Sequence, residues 1–298
     1  MLPGEGECAF QCHSRTEASA GRVGWVARSA AGYALCATAF QKDMNNTLIV
    51  IATYNERENL PALVQKVRTR RLQADILVVD DNSPDGTGEI AQGLAASDCT
   101  IEVLHRPKKE GLKHALAAGF LFGVGNKYDY IVNLDGDLSH DPADIPTLLA
   151  VAQRADLVIG SRYFNGIRVL NWPPARLLLS MLAAKYVTVL TRMPIQDPTS
   201  GFRCFRREAL EEILRERIIS SGYSFHIEMA FRAWVKGMTV IETPITFTDR
   251  LHGATKLNAR IIIEGLFIPW RLLAGRLFRT TTVTRQVPKK PRGLLRPI

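Results

Sequence analysis

The chain has 298 residues, 46% of them apolar, with 38 Lys and Arg against 29 Asp and Glu and a formal net charge of +9. That length and apolar content supply the core of one large domain or two small ones and exclude disordered, collagenous and coiled-coil classes. The charge is uneven: residues 271–298 carry eight basic side chains and no acidic one, whereas 44–270 hold 26 basic and 25 acidic residues. A basic tail on a nearly neutral body points to a polyanionic surface.

Residues 1–43 read as an extension without fold value. Ala30–Phe40 resembles a signal-peptide core, but the long stretch before it contains Glu5, Glu7 and Glu17, and Met44 opens what looks like a natural start of the first strand. From there the pattern alternates. Leu48–Ala52 is a short β-branched apolar run, hence a buried strand, and Arg57–Arg71 has helical spacing through Leu60, Leu63, Val64 and Val67. Ile76–Val79 is a second strand, Thr87–Ala96 a helix capped by Asp85 or Thr87, Ile101–Leu104 a third strand and Leu112–Val124 a third helix. Tyr128–Leu134 is a fourth strand that stops at Asp135-Gly136-Asp137. Such alternation predicts an α/β fold with a mostly parallel sheet flanked by helices, whose ligands bind beyond the carboxyl ends of the strands. Further on, Leu157–Gly160 is a strand, Arg176–Arg192 an apolar helix, Asp197–Arg203 a polar loop, and Glu208–Arg217 and Ile227–Lys236 are helices. Thr239–Phe247 is a strand that Pro244 confines to an edge.

The residues that carry chemistry lie at the strand ends. Asp135 and Asp137, two positions apart, can reach one divalent cation, and Gly136 lets backbone come close; carboxylate oxygens suit Mg²⁺ or Mn²⁺. At the end of the second strand lie Asp80 and Asp81, and a carboxylate there can accept hydrogen bonds from a nucleoside. There is no GxGxxG and no GxxxxGK[ST], so dinucleotide and P-loop chemistry lose their main signals. Arg162 follows a strand, and Arg250 and Lys256 flank a loop with Gly253; both types suit phosphate contacts. His226 and Glu228 near a helix start are a cap, a core pair or part of a site, while His105, His140 and His252 show no metal-ligand spacing. The cysteines Cys8, Cys12, Cys36, Cys99 and Cys204 form no CxxC pair, which favours a reducing compartment over disulfides or zinc. No segment supplies the roughly 18 nearly uninterrupted apolar residues of a bilayer span.

Taken in order, Ala52–Pro61 (ATYNERENLP), Val79–Thr87 (VDDNSPDGT) and Asp135–Pro142 (DGDLSHDP) resemble the dolichyl-phosphate (polyprenol-phosphate) mannosyltransferases, family 2 glycosyltransferases of the GT-A fold. The likeness continues through Arg106–Leu112, Gly160–Tyr163, Asp197–Arg203, Gly222–Met229 and Asp249–Lys256, covering about residues 45–270. It implies inverting transfer of mannose from GDP-mannose to a polyprenyl or dolichyl monophosphate, giving a polyprenyl phosphomannose. It further implies that Ala52, Tyr54, Glu56, Val78 and Asp80 hold the nucleotide. Asp135, Gly136, Asp137 and Ser139 would surround the metal, Mg²⁺ or Mn²⁺, and Arg162, Arg250 and Lys256 would face phosphates. Four positions depart from the family pattern: Ala52 replaces Pro, Lys113 and His114 make Gly111-Leu-Lys-His-Ala115 of Gly-Leu-Gly-Thr-Ala, and His226 replaces Gln.

Under this reading residues 44–256 form the glycosyltransferase domain. Residues 257–298 form an amphipathic helix, kinked at Pro269 and lying on the cytoplasmic face of a membrane, with a basic tail. A separate membrane subunit is a possible partner. The alternatives are another donor such as UDP-glucose on the same lipid, a soluble acceptor, and a non-catalytic membrane-associated subunit. A nucleic-acid partner is disfavoured because recognition motifs and interleaved aromatics are lacking.

Overall fold

The computed structural model describes residues 46–220, 222, 224–249 and 259–279. Strands β1 (Thr47–Thr53), β2 (Ala74–Asp80), β3 (Ile101–His105) and β4 (Tyr130–Asp135) alternate with helices α1 (Asn59–Thr69), α2 (Thr87–Ser97) and α3 (Leu112–Gly125). Then come α4 (Ile145–Ala152), β5 (Leu157–Ser161), β6 (Val169–Leu170), α5 (Pro174–Thr191), β7 (Arg203–Arg206), α6 (Arg207–Leu214) and α7 (Ser224–Val235). The described residues end with β8 (Val240–Pro244), β9 (Phe247–Thr248) and α8 (Ala259–Arg279).

The main sheet has the order β3-β2-β1-β4-β7-β5-β8. All its pairs are parallel except those of β7, which runs antiparallel to β4 and β5. Because alternate side chains leave opposite faces of a strand, each strand feeds two apolar layers. Leu48, Val50, Leu77, Val79 and Ile131 pack with residues of α3, α5, α6, α7 and α8. Ile49, Ile51, Ile76, Val78 and Val132 pack with α1, α2 and α4. Burial on both faces explains the continuous apolar runs in the sequence. Helix α3 seats closely on the sheet, since a Cβ on Gly119 would meet Val50 Cγ1 at 2.4 Å.

The four-strand pattern up to Asp135 agrees with the expectation, and Asp85 serves the start of α2 by accepting from the Thr87 amide at 3.0 Å. The second half differs in three places. The polar loop leads into a strand, β7, inserted into the middle of the sheet; Ile145–Ala152 is a helix; and the Pro244 strand ends at that proline, on the sheet edge as Pro requires. Helix α8 runs through Pro269. It buries Ile268 and Leu272 while Ile263, Leu266, Phe267 and Trp270 stay exposed. Among the described residues no helix is long and apolar enough to cross a membrane. The expected extension over 1–43, the loop residues Arg250 and Lys256, and the basic tail from 280 onward lie outside the described residues.

Candidate active site

The chain builds β1, β2 and β3 outward in one direction and then crosses to place β4 on the other side of β1. A crevice opens at such a switch point, between the carboxyl ends of β1 and its neighbours. The register fills it: Thr53 lies opposite Asp80 on one side, and Ala52 opposite Asp135 on the other. Tyr54 and Glu56 follow directly, with Lys109 Nζ 3.6 Å above the Tyr54 ring. Asp80 is buried and accepts from the Ser83 hydroxyl at 2.5 Å and the Ser83 amide at 3.1 Å, which fixes its orientation. Asp81 instead anchors the loop before α3, accepting from the Gly111 amide at 2.7 Å and from Arg106. Val78 has its side chain fully buried in the core.

The carboxylate pair at the end of β4 is held from three directions. Ser139 donates its hydroxyl to Asp137 Oδ1 at 2.5 Å and its amide to the same atom at 3.1 Å, so Ser139 sets the direction of Asp137. Gly136 lies against β1, where a Cβ would be 3.3 Å from the Ala52 carbonyl oxygen and 3.5 Å from Glu56 Cγ. The third element is the approach to β7. Antiparallel pairing of Asn133 with Arg203, continued outward, sets Gly201 across from Asp135, and a Cβ there would stand 2.9 and 3.0 Å from the two Asp135 carboxylate oxygens. The donor set is oxygen throughout, which suits a hard divalent cation. Among the described residues no group of three or more His, Cys, Asp or Glu is gathered at one point.

Beside the carboxylates sits a buried ion pair. Arg162 donates Nε and Nη2 to Asp197 at 2.7 Å each, its amide to Asp197 at 3.0 Å, and Nη2 also to the Thr199 hydroxyl at 2.7 Å. Burial opposes ionisation of Asp197, but Arg162 and these hydrogen bonds prevail and hold its carboxyl below the usual range. Burial likewise works against the Arg162 charge, and Asp197 outweighs it, so its pKa is raised. Arg203 ties the same loop down, donating to the carbonyls of Ser200 (2.8 Å), Pro198 (2.7 Å) and His226 (2.8 Å); burial pushes its pKa down to about 9, which still leaves it charged near neutrality. His140 is buried between Phe202 and Phe247, and that burial lowers it to about 4, so its ring is neutral. His226 is also held well below its ordinary value, first by burial and then by Arg203. Glu228 belongs to the scaffold: it is fully buried and accepts from the Ile219 and Ser220 amides and from Arg232.

A cavity of about 460 Å³ joins these groups. Its polar lining includes Asp135, Asp137, Ser139, Arg162 and His226, beside Trp172, Arg176 and Phe247. Its apolar lining comes from Leu179, Leu182, Ala183, Tyr186 and Val187 of α5 and Leu266 of α8, where the Tyr186 hydroxyl donates to the Leu266 carbonyl at 2.7 Å. Leu178, Leu179, Leu182 and Val189 of α5 and Ile263, Leu266, Phe267 and Trp270 of α8 are exposed apolar side chains. Sequence reasoning named the carboxylates and Arg162 but passed over Trp172, Arg176 and Phe247, and it gave His140 no role. The only local signal was Asn171-Trp-Pro-Pro-Ala-Arg176, an aromatic and a cation around a proline-started helix.

A doubly wound sheet with a carboxylate pair at its switch point defines a nucleotide-handling α/β enzyme, and comparison with known proteins narrows the class. Residues 48–214 match the model of glycosyl transferase family 2. The polyprenol monophosphomannose synthase of Mycolicibacterium smegmatis is 46% identical over 243 residues, 80% of this chain and 91% of that protein. The undecaprenyl-phosphate mannosyltransferase of Micrococcus luteus is 40% identical over 238 residues, 77% of this chain and 98% of that protein. Among solved structures, glucosyl-3-phosphoglycerate synthase from Mycobacterium tuberculosis, in complex with Mn²⁺, UDP and glucosyl-3-phosphoglycerate, superposes with a TM-score of 0.57. At 17% identity over 89% of this chain and 88% of that one, it shares the fold. The chain belongs to glycosyl transferase family 2 and is a glycosyltransferase of GT-A architecture.

Proposed function

We propose that this enzyme transfers mannose from GDP-mannose to a polyprenyl or dolichyl monophosphate, with inversion, at the cytoplasmic face of a membrane. The observation that carries the reading is the lining of the cavity: carboxylates and cations together with an apolar slot between α5 and α8. A lipid monophosphate matches both parts, whereas a small soluble acceptor has no use for the slot. The names of the two mannosyltransferase relatives support the same sugar and the same class of acceptor.

In this reading Tyr54, Glu56 and Asp80 hold the nucleoside, with Ala52 and the backbone of Val78 alongside. Asp135 and Asp137, the latter oriented by Ser139, would hold Mg²⁺ or Mn²⁺, which offsets the charge gathering on the departing nucleoside diphosphate. An acceptor phosphate monoester has its second pKa near about 6 and is largely a dianion at neutral pH, so its attack on the anomeric carbon needs no strong general base. The neutral, buried His140 is consistent with that economy. What the reaction demands is charge-assisted donors placed in advance: Arg162, paired with Asp197, offers them inside the cavity, and Arg250 and Lys256 are proposed to add further positive charge. The apolar residues exposed on α5 and α8 then rest on the lipid surface, with the basic tail drawn to anionic headgroups. The unpaired cysteines Cys99 and Cys204 fit a reducing compartment.

Calorimetric titration of the purified protein tests the donor and metal together. GDP is expected to bind more tightly than UDP in the presence of Mg²⁺ or Mn²⁺, and Asp137→Asn to lose the metal-dependent part of that affinity. Equal GDP and UDP binding, or metal dependence untouched in Asp137→Asn, contradicts the assignment.

A further inference from the structure

We propose that Trp172 is an acceptor-binding residue: its indole Nε1–H donates a hydrogen bond to an oxygen of the acceptor phosphate, and its ring holds the Arg176 guanidinium beside that phosphate. The proposal rests on the lipid-phosphate reading and names a contact within it.

The indole is fixed in place. Asn171 before it adopts a positive φ of 64°, and Pro173 and Pro174 after it restrict the backbone that opens α5. Phe247 meets the ring edge-on at 5.2 Å, and the Arg176 guanidinium lies 4.2 Å from its centroid. Held this way, Nε1 is buried and has no hydrogen-bond partner among the described residues. An indole nitrogen is only a donor, so it requires an acceptor atom, and the residue lines the cavity. The buried His140, which also meets Phe247 edge-on at 5.2 Å, has no hydrogen bond at Nδ1, although that atom lies 3.6 Å from an Asp135 carboxylate oxygen. The cavity lining thus includes an indole donor that the protein itself does not satisfy.

The chemistry of the missing partner follows from the neighbours. Two guanidinium groups flank the indole, Arg176 at 4.2 Å and Arg162 at 5.8 Å. Arg162 commits Nε and Nη2 to Asp197 and Thr199, and Arg176 commits Nη1 to Asp249 at 3.0 Å. Among the described residues the other guanidinium nitrogens of the two make no hydrogen bond, and both residues line the cavity together with Trp172. Each of these guanidinium groups shares a carboxylate yet still offers charge-assisted donors beside the indole, and such donors favour an oxyanion over a sugar hydroxyl or a hydrocarbon. Its position, between the metal-binding carboxylates and the apolar slot, is where the phosphate of a prenyl phosphate sits when its chain lies between α5 and α8.

The test uses the indole N–H signals of the ¹⁵N-labelled full chain, which contains four tryptophans. Trp172→Phe removes one signal and so assigns it, while keeping an aromatic face for Arg176. Should that variant not fold, the signal is assigned by changing Trp25, Trp234 and Trp270 to Phe in turn. Farnesyl phosphate is expected to move the Trp172 signal downfield, with inorganic phosphate doing so at higher concentration; farnesol and GDP should leave it in place. Trp172→Phe should bind farnesyl phosphate roughly 10- to 100-fold more weakly, the value of one hydrogen bond to a charged group, with GDP affinity unchanged. Farnesyl phosphate that binds the wild type without moving the signal overturns the proposal, as does a Trp172→Phe affinity equal to wild type or an equal shift with farnesol. A signal moved by GDP instead reassigns the contact to the donor phosphates and overturns it too. If farnesyl phosphate does not bind the wild type at all, the lipid-phosphate reading itself fails and the proposal falls with it.

Discussion

Replacing Gly201 by Ala puts a single methyl group against the carboxylate proposed to hold the metal. Gly201 is absent from the positive-φ positions, so alanine meets no backbone strain there. The methyl carbon would stand 2.9 and 3.0 Å from the Asp135 oxygens, whereas ordinary contact begins at 3.4 Å, so the carboxylate must withdraw by 0.5 Å. Turning a side chain away from its preferred rotamer costs about 0.5–1.5 kcal/mol. The lost freedom of glycine in the unfolded chain returns about 0.4–1 kcal/mol, so net stability changes little. Catalysis is less forgiving, because a displacement of about 1 Å costs on the order of 100-fold. The variant is therefore expected to turn over about 10- to 100-fold more slowly and to need more metal for half-maximal rate, with its melting temperature nearly unchanged. Initial rates across a Mg²⁺ and Mn²⁺ titration, beside a thermal melt, provide the check. Wild-type rate at wild-type metal concentration would show that Asp135 does not serve the metal. A rate loss matched by a collapse in melting temperature would show that loop packing, and not the carboxylate, had been disturbed.

Asp197→Ala strands Arg162 as a buried charge, which should cost about 3–5 kcal/mol in urea unfolding. Since the folded Asp197 carboxyl ionises below its unfolded value, the stabilisation is present above the usual carboxylate range and lost as pH falls through the folded value; the gap between wild type and variant should narrow in acid. A gap below about 1 kcal/mol at neutral pH contradicts the pairing. Arg203→Ala leaves three carbonyls without their donor and should lower unfolding stability by at least about 3 kcal/mol; an unchanged urea midpoint would show that the loop does not depend on Arg203. Phe267 and Trp270 are 67% and 57% exposed on α8. Changing both to Ser removes about 2–3 kcal/mol of apolar transfer, so co-sedimentation with anionic liposomes should weaken about 30- to 150-fold. Sedimentation equal to wild type would remove α8 from the membrane contact.

How much the sequence discloses depends on whether a signal is local. The switch-point crevice was legible because β1, β2 and β4 are mostly apolar runs that end in polar clusters, and the strand-end position of Asp135 and Asp137 follows from the last of them. Strand β7 was not: Arg203-Cys-Phe-Arg206 is four residues long with a cation at each end, and only pairing with β4 and β5 makes it a strand. Helix α4 reads as a featureless apolar run, IPTLLAVA, too short for its period to stand out. The same distance effect hid the Arg162–Asp197 pair, whose members are 35 residues apart. Trp172 was passed over because its meaning lies in an unpaired indole nitrogen, a property that appears only once Phe247 and Arg176 are packed around the ring.

The central claim concerns what is transferred and onto what. Purified protein incubated with Mg²⁺ or Mn²⁺, liposomes containing polyprenyl phosphate, and labelled GDP-mannose or UDP-glucose addresses it in one measurement, the label recovered in the organic extract. The expected result is lipid-soluble label from GDP-mannose only, dependent on both the metal and the polyprenyl phosphate. Label taken equally from UDP-glucose, or label that stays water-soluble, would contradict it.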